Sequence, residues 1–78
     1  MNLDRLEIFL KIVETGSMGS AAQALALSQP ALSRSLKLLE EEVGALLFSR
    51  QGRGLVLSAA GRALLPRAKQ LLESATLT

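Results

Sequence analysis

Apolar positions along this chain recur at helical spacing and are separated by short polar breaks. Spacings of three and four residues in the first segment predict a helix that buries Leu3, Leu6, Leu10 and Val13, with Phe9 beside them. Asn2 is a suitable N-cap for this helix, and Thr15-Gly16 a suitable end.

Two further helices follow at close spacing. Ser17 is an N-cap candidate before a short second helix of about two turns, which contains Met18, Ala21, Ala22 and Leu25. After a turn of about three residues, Ser28 caps a third helix in which Pro30 is tolerated in the first turn. Its buried stripe is predicted to be Leu32, Leu36, Leu39 and Val43, and Gly44 ends it. This arrangement predicts a helix-turn-helix braced by the first helix.

The next segment changes to a strand and turn pattern. A short apolar run over 45–50, the turn-like Gln51-Gly52-Arg53-Gly54 and the run Leu55-Val56-Leu57 predict two strands around a glycine-containing tip. The predicted fold class is therefore mainly α, a winged helix-turn-helix with three helices and a two-stranded wing. The wing carries Arg50 and, at its tip, Arg53.

A last helix is predicted from about Ala59, with Ser58 as its N-cap. Pro66 lies within it and removes one backbone hydrogen bond, so we expect a kink or a local loosening there. Its apolar positions are spaced like a heptad seam, which predicts a helix that packs on a second copy through Leu64, Leu65, Ala68, Leu71, Leu72 and Ala75.

Composition limits the chemistry available to the 78-residue chain. It contains no cysteine and no histidine, which removes disulfides, thiolate metal sites and histidine acid–base catalysis. The absence of cysteine is compatible with a reducing cytoplasm. No apolar run approaches the roughly 20 residues of a membrane span. We expect no metal, no cofactor and no enzymatic activity, because the sequence contains neither paired carboxylates suited to flank a cleft nor a phosphate loop.

Charge is distributed unevenly although the net charge is only +2. Seven of the nine basic residues lie from Arg34 onward, against only four acidic ones. On the third helix, Gln29, Ser33, Arg34 and Lys37 are predicted to face outward. Arginine can bind guanine, glutamine can bind adenine, and a helix N-terminus favours phosphate. The pattern predicts insertion of this helix end into the major groove of DNA.

Two alternatives remain open on these residues alone. Arg34 and Lys37 could form an ordinary solvated face, with Lys37 paired to Glu41 one turn later. The whole domain could also be a protein-interaction module that dimerises through its last helix and binds no nucleic acid. The apolar seam is compatible with that module, but the basic helix face and the wing arginines do not follow from it.

The combined motifs resemble the N-terminal domain of LysR-type transcriptional regulators over practically the whole chain. The resemblance depends on Ser17, Ala21-Ala22 and Leu25, then the run SQPALS at 28–33, Leu39-Glu40, Gly44, Leu47-Phe48, Arg50, Arg53, Leu57-Ser58 and Ala60-Gly61. It implies a bacterial, cytoplasmic transcription factor that binds a pseudo-palindromic DNA operator as a homodimer. It also implies a DNA-binding domain over 1–57, a linker and dimerisation helix over 58–78, and a small-molecule effector domain absent from this chain.

Carried over by position, the resemblance implies DNA contacts from the recognition helix, about 28–43, and from the wing. These fall on Ser28, Gln29, Pro30, Ser33, Arg34, Lys37, Arg50 and Arg53, with Ser20 as a weaker candidate. Arg53 is the implied minor-groove residue. One departure concerns Ala26, which stands in the turn where helix-turn-helix proteins often have glycine, so a positive φ there would be strained.

Overall fold

The fold is a small helical domain with a two-stranded wing, seen in a computed structural model that describes residues 2–52 and 54–76. Side chains are described through residue 74. The elements are α1 (Leu3–Thr15), α2 (Met18–Ala24), α3 (Gln29–Val43), β1 (Phe48–Gln51), β2 (Gly54–Leu57) and α4 (Ala59–Thr76). Helix α1 packs on α2, α3 and α4, while α2 also packs on α3. The predicted winged helix-turn-helix is confirmed.

The predicted helix caps are confirmed. The Asn2 side chain accepts a hydrogen bond from the Asp4 N–H at 2.8 Å, which caps α1. Ser17 and Ser28 accept from the backbone N–H groups of Ser20 and Ala31, which satisfies donors that have no partner inside the helix. Gly16 and Gly44 end α1 and α3 in the left-handed conformation that glycine adopts without strain.

The helix-turn-helix turn contains four residues, Leu25–Ser28, one more than predicted. Ala26 has φ +56°, so this turn does contain a positive φ, and it falls on a residue that carries a Cβ. The turn is stabilised by backbone hydrogen bonds, including Leu27 N–H to the Ala22 carbonyl at 2.9 Å.

The core stripe predicted for α1 is partly wrong. Leu6 and Phe9 are buried, but Leu3 is 40% exposed, and Leu10 and Val13 are only partly buried. Buried positions on α1 also include Ile8 and Ile12. On α3, the prediction is confirmed for Leu32, Leu36 and Leu39, with Val43 at the edge of the core.

The wing begins later than predicted. Residues 45–47 connect α3 to β1, and Leu47 in this connection is completely buried while Leu46 is 70% exposed. Strands β1 and β2 pair antiparallel from Phe48 opposite Leu57 to Gln51 opposite Gly54. The Phe48 ring contacts Phe9 of α1 at a centroid distance of 5.5 Å, which holds the wing base on the helical core.

Helix α4 starts at Ala59 as predicted and continues through Pro66 to Thr76. The expected kink or loosening at Pro66 stays a prediction. Ser58 accepts a hydrogen bond from the Gly61 N–H at 3.0 Å and is the predicted cap. Within the described residues, no helix is both long enough and apolar enough to cross a membrane.

Candidate nucleic-acid interface

One face of α3 is polar and carries the predicted recognition residues. Because Leu32, Leu36 and Leu39 face the core, the helical period turns the other side to solvent. The exposed residues on that side are Gln29, Pro30, Ser33, Arg34 and Lys37. Pro30 lies in the first helical turn, where its missing N–H costs no hydrogen bond.

None of the exposed polar side chains of this face is engaged by the protein. Within residues 2–52 and 54–76, Gln29, Ser33, Arg34 and Lys37 make no side-chain hydrogen bond or ion pair. The alternative pairing of Lys37 with Glu41 is not formed. The donors and acceptors of the face are therefore available to a partner.

The basic residues of α1 behave differently. Arg5 forms a 2.9 Å ion pair with Glu42 of α3, and Lys11 forms a 3.3 Å pair with Glu14. These contacts reduce the positive charge on the α1 side. In the described part of the chain, Arg34 and Lys37 of α3 and Arg50 of the wing have no acidic partner. Among the same residues, the basic side chains of α4 are likewise outside any ion pair, so the unpaired positive charges lie on α3, the wing and α4 rather than on α1.

The N-terminal ends of α2 and α3 and the wing border one shallow concave surface. Gln29 and Arg50 both line it, and the full lining is Gly16, Ser17, Met18, Gly19, Gln29, Arg50, Gly54 and Leu55. The fold thus brings two predicted contact residues together from positions 21 apart in the sequence. An arginine and a glutamine lining one concave surface offer the donors that DNA phosphates and base edges require.

The remaining predicted contact residues differ in their surroundings. Ser28 is exposed, and its hydroxyl oxygen accepts the Ala31 N–H at 3.2 Å as a helix cap. Ser20 is exposed on α2, beside the concave surface. Arg53 lies outside the described residues.

The predicted dimerisation residues divide into two groups. Leu64 and Ala68 are buried in the core of the chain itself, so they have almost no surface to offer a second copy. Leu71 is 44% exposed, and Leu65 and Leu72 are partly buried. The Ala75 side chain lies outside the described residues.

Sequence reasoning missed Met18, Gly19 and Leu55 as neighbours of Gln29 and Arg50. They are brought there by the packing of α2 on α3 and by the position of the wing, and no local motif marks them. Among the described residues, no group of three or more histidine, cysteine, aspartate or glutamate side chains could hold a metal ion.

Comparison with known proteins identifies the family. Residues 3–62 match the sequence profile described as "bacterial regulatory helix-turn-helix protein, lysR family". This chain belongs to the LysR family. A LysR-type relative, the HTH-type transcriptional regulator TfdT of Cupriavidus pinatubonensis, is 44% identical over 72 residues, which are 92% of this chain and 32% of TfdT. The chain thus spans about a third of that relative's length.

Two solved structures of LysR-type DNA complexes have the same fold. The CbnR_DBD–DNA complex superposes with a TM-score of 0.90 at 39% identity, over 97% of this chain and 87% of that one. The BenM_DBD/catB site 1 DNA complex has a TM-score of 0.91 at 35% identity, over 99% and 86% of the two chains. The family relatives are named as transcriptional regulators, which is not an enzymatic role.

Proposed function

We propose that this chain is the N-terminal module of a bacterial LysR-type transcriptional regulator and binds double-stranded DNA sequence-specifically. In this proposal the recognition helix α3 enters the major groove by its N-terminal end. The observation that carries it is the exposed, unpaired polar face formed by Gln29, Ser33, Arg34 and Lys37. The DNA complexes of two proteins with the same fold support it.

The contacts are assigned by side-chain chemistry. Gln29, Ser33 and Arg34 read base edges, because their donors and acceptors match those of the major groove. The sugar–phosphate backbone of the DNA is contacted, or closely approached, by Ser28, Pro30, Lys37 and Ser20. These contacts set the register of the protein on the duplex. In the wing, Arg50 approaches the phosphates and Arg53 reaches the minor groove.

The operator is proposed to be pseudo-palindromic and bound by a homodimer. Residues 1–57 form the DNA-binding domain and 58–78 the linker and dimerisation helix. Because Leu64 and Ala68 are already buried, the contact between copies uses Leu71 with the partly exposed edges of Leu65 and Leu72, and is completed by Ala75. Any small-molecule effector acts through a separate domain, and a regulator that binds the chromosome works in the cytoplasm.

Replacing Arg34 by alanine tests the base-reading assignment. We expect the affinity for the preferred operator to fall by about 1–3 kcal/mol and the preference at one base position to be lost. The operator is first obtained by selecting bound sequences from a random DNA pool, and the variant is then titrated against it and against each single-base change. Unchanged affinity and unchanged preference at every position would contradict the role of Arg34.

Lys37→Ala is the matched control, because it removes one positive charge from the same exposed helix face. A phosphate contact carries no base preference, so binding should weaken equally on all sequences. The slope of log affinity against log salt should decrease by about 1. A change in base preference with Lys37→Ala would show that Lys37 contacts bases, which contradicts its assignment to a phosphate.

Leu71→Asp tests the dimer. An aspartate at this position removes apolar contact and places two like charges together, so the dimer dissociation constant should rise by roughly tenfold or more. Sedimentation velocity over a concentration series measures it. The melting temperature of the protomer should change little because Leu71 is 44% exposed.

Leu38→Asp controls for the new charge and the lost leucine. Leu38 is 39% exposed and lies on α3, outside the proposed contact between copies. Leu38→Asp should leave the dimer dissociation constant unchanged. If both variants dissociate equally, or neither does, α4 is not the dimerisation surface.

A further inference from the structure

The carboxylate of Glu40 connects the recognition helix to the base of the wing. Its Oε2 accepts a hydrogen bond from the Leu47 N–H at 2.8 Å, and the side chain is partly buried. Leu47 is completely buried and directly precedes β1. The two neighbouring acids do not share this contact, since Glu42 pairs with Arg5 and the exposed Glu41 side chain makes no hydrogen bond in the described chain.

The Leu47 segment also receives the chain that leaves the wing. The Ser58 N–H donates to the Leu47 carbonyl at 3.0 Å, and the Ser58 hydroxyl donates to the Leu46 carbonyl at 2.6 Å. Both ends of the wing are therefore tied to each other at this point. Among the described contacts, Glu40 supplies the side-chain hydrogen bond that ties this pair of ends to α3.

The position of the wing has to be set at its base. A two-stranded hairpin is marginally stable by itself, and each strand here has four residues, an arm of about 13 Å. A small change of angle at Leu47 therefore displaces the outer part of the arm. Arg50, which lines the same concave surface as Gln29, would move with it.

We propose that Glu40 is a positioning residue for DNA recognition. Through the Leu47 N–H, it sets the distance between the wing arginine Arg50 and the reading end of α3, so that both reach one DNA duplex together. The inference rests on the proposed DNA-binding function and adds a residue that touches no DNA itself.

An electrostatic role and a positioning role of Glu40 predict opposite changes in DNA affinity when its carboxylate is removed. Removing an acid from a helix that faces DNA strengthens binding by charge alone. Glu41→Ala, at the adjacent position, measures that charge effect because the Glu41 side chain makes no hydrogen bond in the described residues. If Glu40 positions the wing, Glu40→Ala should instead weaken binding, by about tenfold relative to Glu41→Ala.

The experiment compares Glu40→Ala, Glu40→Gln and Glu41→Ala with the wild-type chain on the selected operator. Glu40→Gln should restore wild-type affinity or better, because its amide oxygen can still accept the Leu47 N–H. In an Arg50→Ala background, Glu40→Ala should have less than about a twofold further effect, since both changes disable the same contact. A role in general stability would not produce this dependence on Arg50.

Hydrogen exchange of the Leu47 amide provides a readout that needs no DNA. Exchange should accelerate in Glu40→Ala and stay slow in Glu40→Gln and Glu41→Ala. If Glu40→Ala does not fold, Glu40→Asp replaces it, because its carboxylate is one methylene short of the Leu47 N–H while the charge is kept. Glu40→Asp should weaken operator binding while its circular dichroism matches the wild-type spectrum.

The outcomes separate the inference from the proposed function. If the wild-type chain binds no DNA, the proposed function fails, and the positioning role in DNA recognition fails with it. If the wild type binds but Glu40→Ala behaves like Glu41→Ala, the positioning role is overturned and the function stands. Additive effects of Glu40→Ala and Arg50→Ala would overturn it in the same way.

Discussion

Phe9→Ala should lower the free energy of unfolding by about 3–5 kcal/mol, the range for removal of a buried phenylalanine. Phe9 is completely buried, and its ring packs on Phe48 of the wing at 5.5 Å between centroids. A domain of this size has on the order of 4–12 kcal/mol of stability, so this loss removes at least about a quarter of it. Urea denaturation followed by circular dichroism measures the change.

Leu3→Ala is the matched control on the same helix. Leu3 is 40% exposed, so its truncation should cost less than about 1 kcal/mol. Phe48→Ala should fall between the two because Phe48 is only partly buried. A loss of similar size for Phe9→Ala and Leu3→Ala would contradict the observed core, in which Phe9 links α1 to the wing.

The helix ends were predictable because their signals are local. Asn2, Ser17, Ser28 and Ser58 each cap through a hydrogen bond to a backbone N–H two or three residues ahead. Such contacts depend on neighbours in the sequence and hardly on the remaining fold. Gly44 likewise ends α3 by a conformation that its own chemistry permits.

The buried face of α1 was harder to predict because the helix is apolar on more than one side. Leu3, Leu6, Leu10 and Val13 share a helical period, but so do the residues around Phe9. Packing of α2, α3 and α4 on the same helix decides which of them is buried. Which side chains of α1 are buried therefore depends on how the other helices are arranged around it, and the α1 sequence does not contain that information.

The exposed polar face of α3 was predictable from the sequence, since the leucine stripe at Leu32, Leu36 and Leu39 leaves the opposite side to polar residues. The hydrogen bond that Glu40 accepts was not predictable, because three consecutive acids look like a solvated run. Its partner is a backbone N–H in a non-helical connection, and no side-chain pattern marks such a donor. Heptad spacing likewise does not reveal that Leu64 and Ala68 are buried within the chain, in a helix that also packs on α1.

Gly61→Ala should lower the free energy of unfolding by about 3 kcal/mol, at the upper end of the range for overpacking. A Cβ at this position would overlap the Leu47 carbonyl oxygen and lie 2.8 Å from Cδ2 of Leu57. The overlap involves backbone, so rotating a side chain cannot relieve it. To admit the methyl group, α4 has to move away from the wing base, where the Leu47 carbonyl accepts the Ser58 N–H.

Gly19→Ala is the control, because Gly19 also lies in a helix but has room for a Cβ. The nearest atom would be Oε1 of Gln29 at 3.7 Å, an ordinary van der Waals distance. Alanine is favoured over glycine in a helix, so this variant should be more stable than the wild type by up to about 1 kcal/mol. Urea denaturation should therefore show a lower free energy of unfolding for Gly61→Ala and a higher one for Gly19→Ala, although both replace glycine by alanine. If Gly61→Ala were neutral, α4 could not approach the Leu47 segment as closely as the structure shows, and the tie between the two ends of the wing would be looser than its hydrogen bonds indicate.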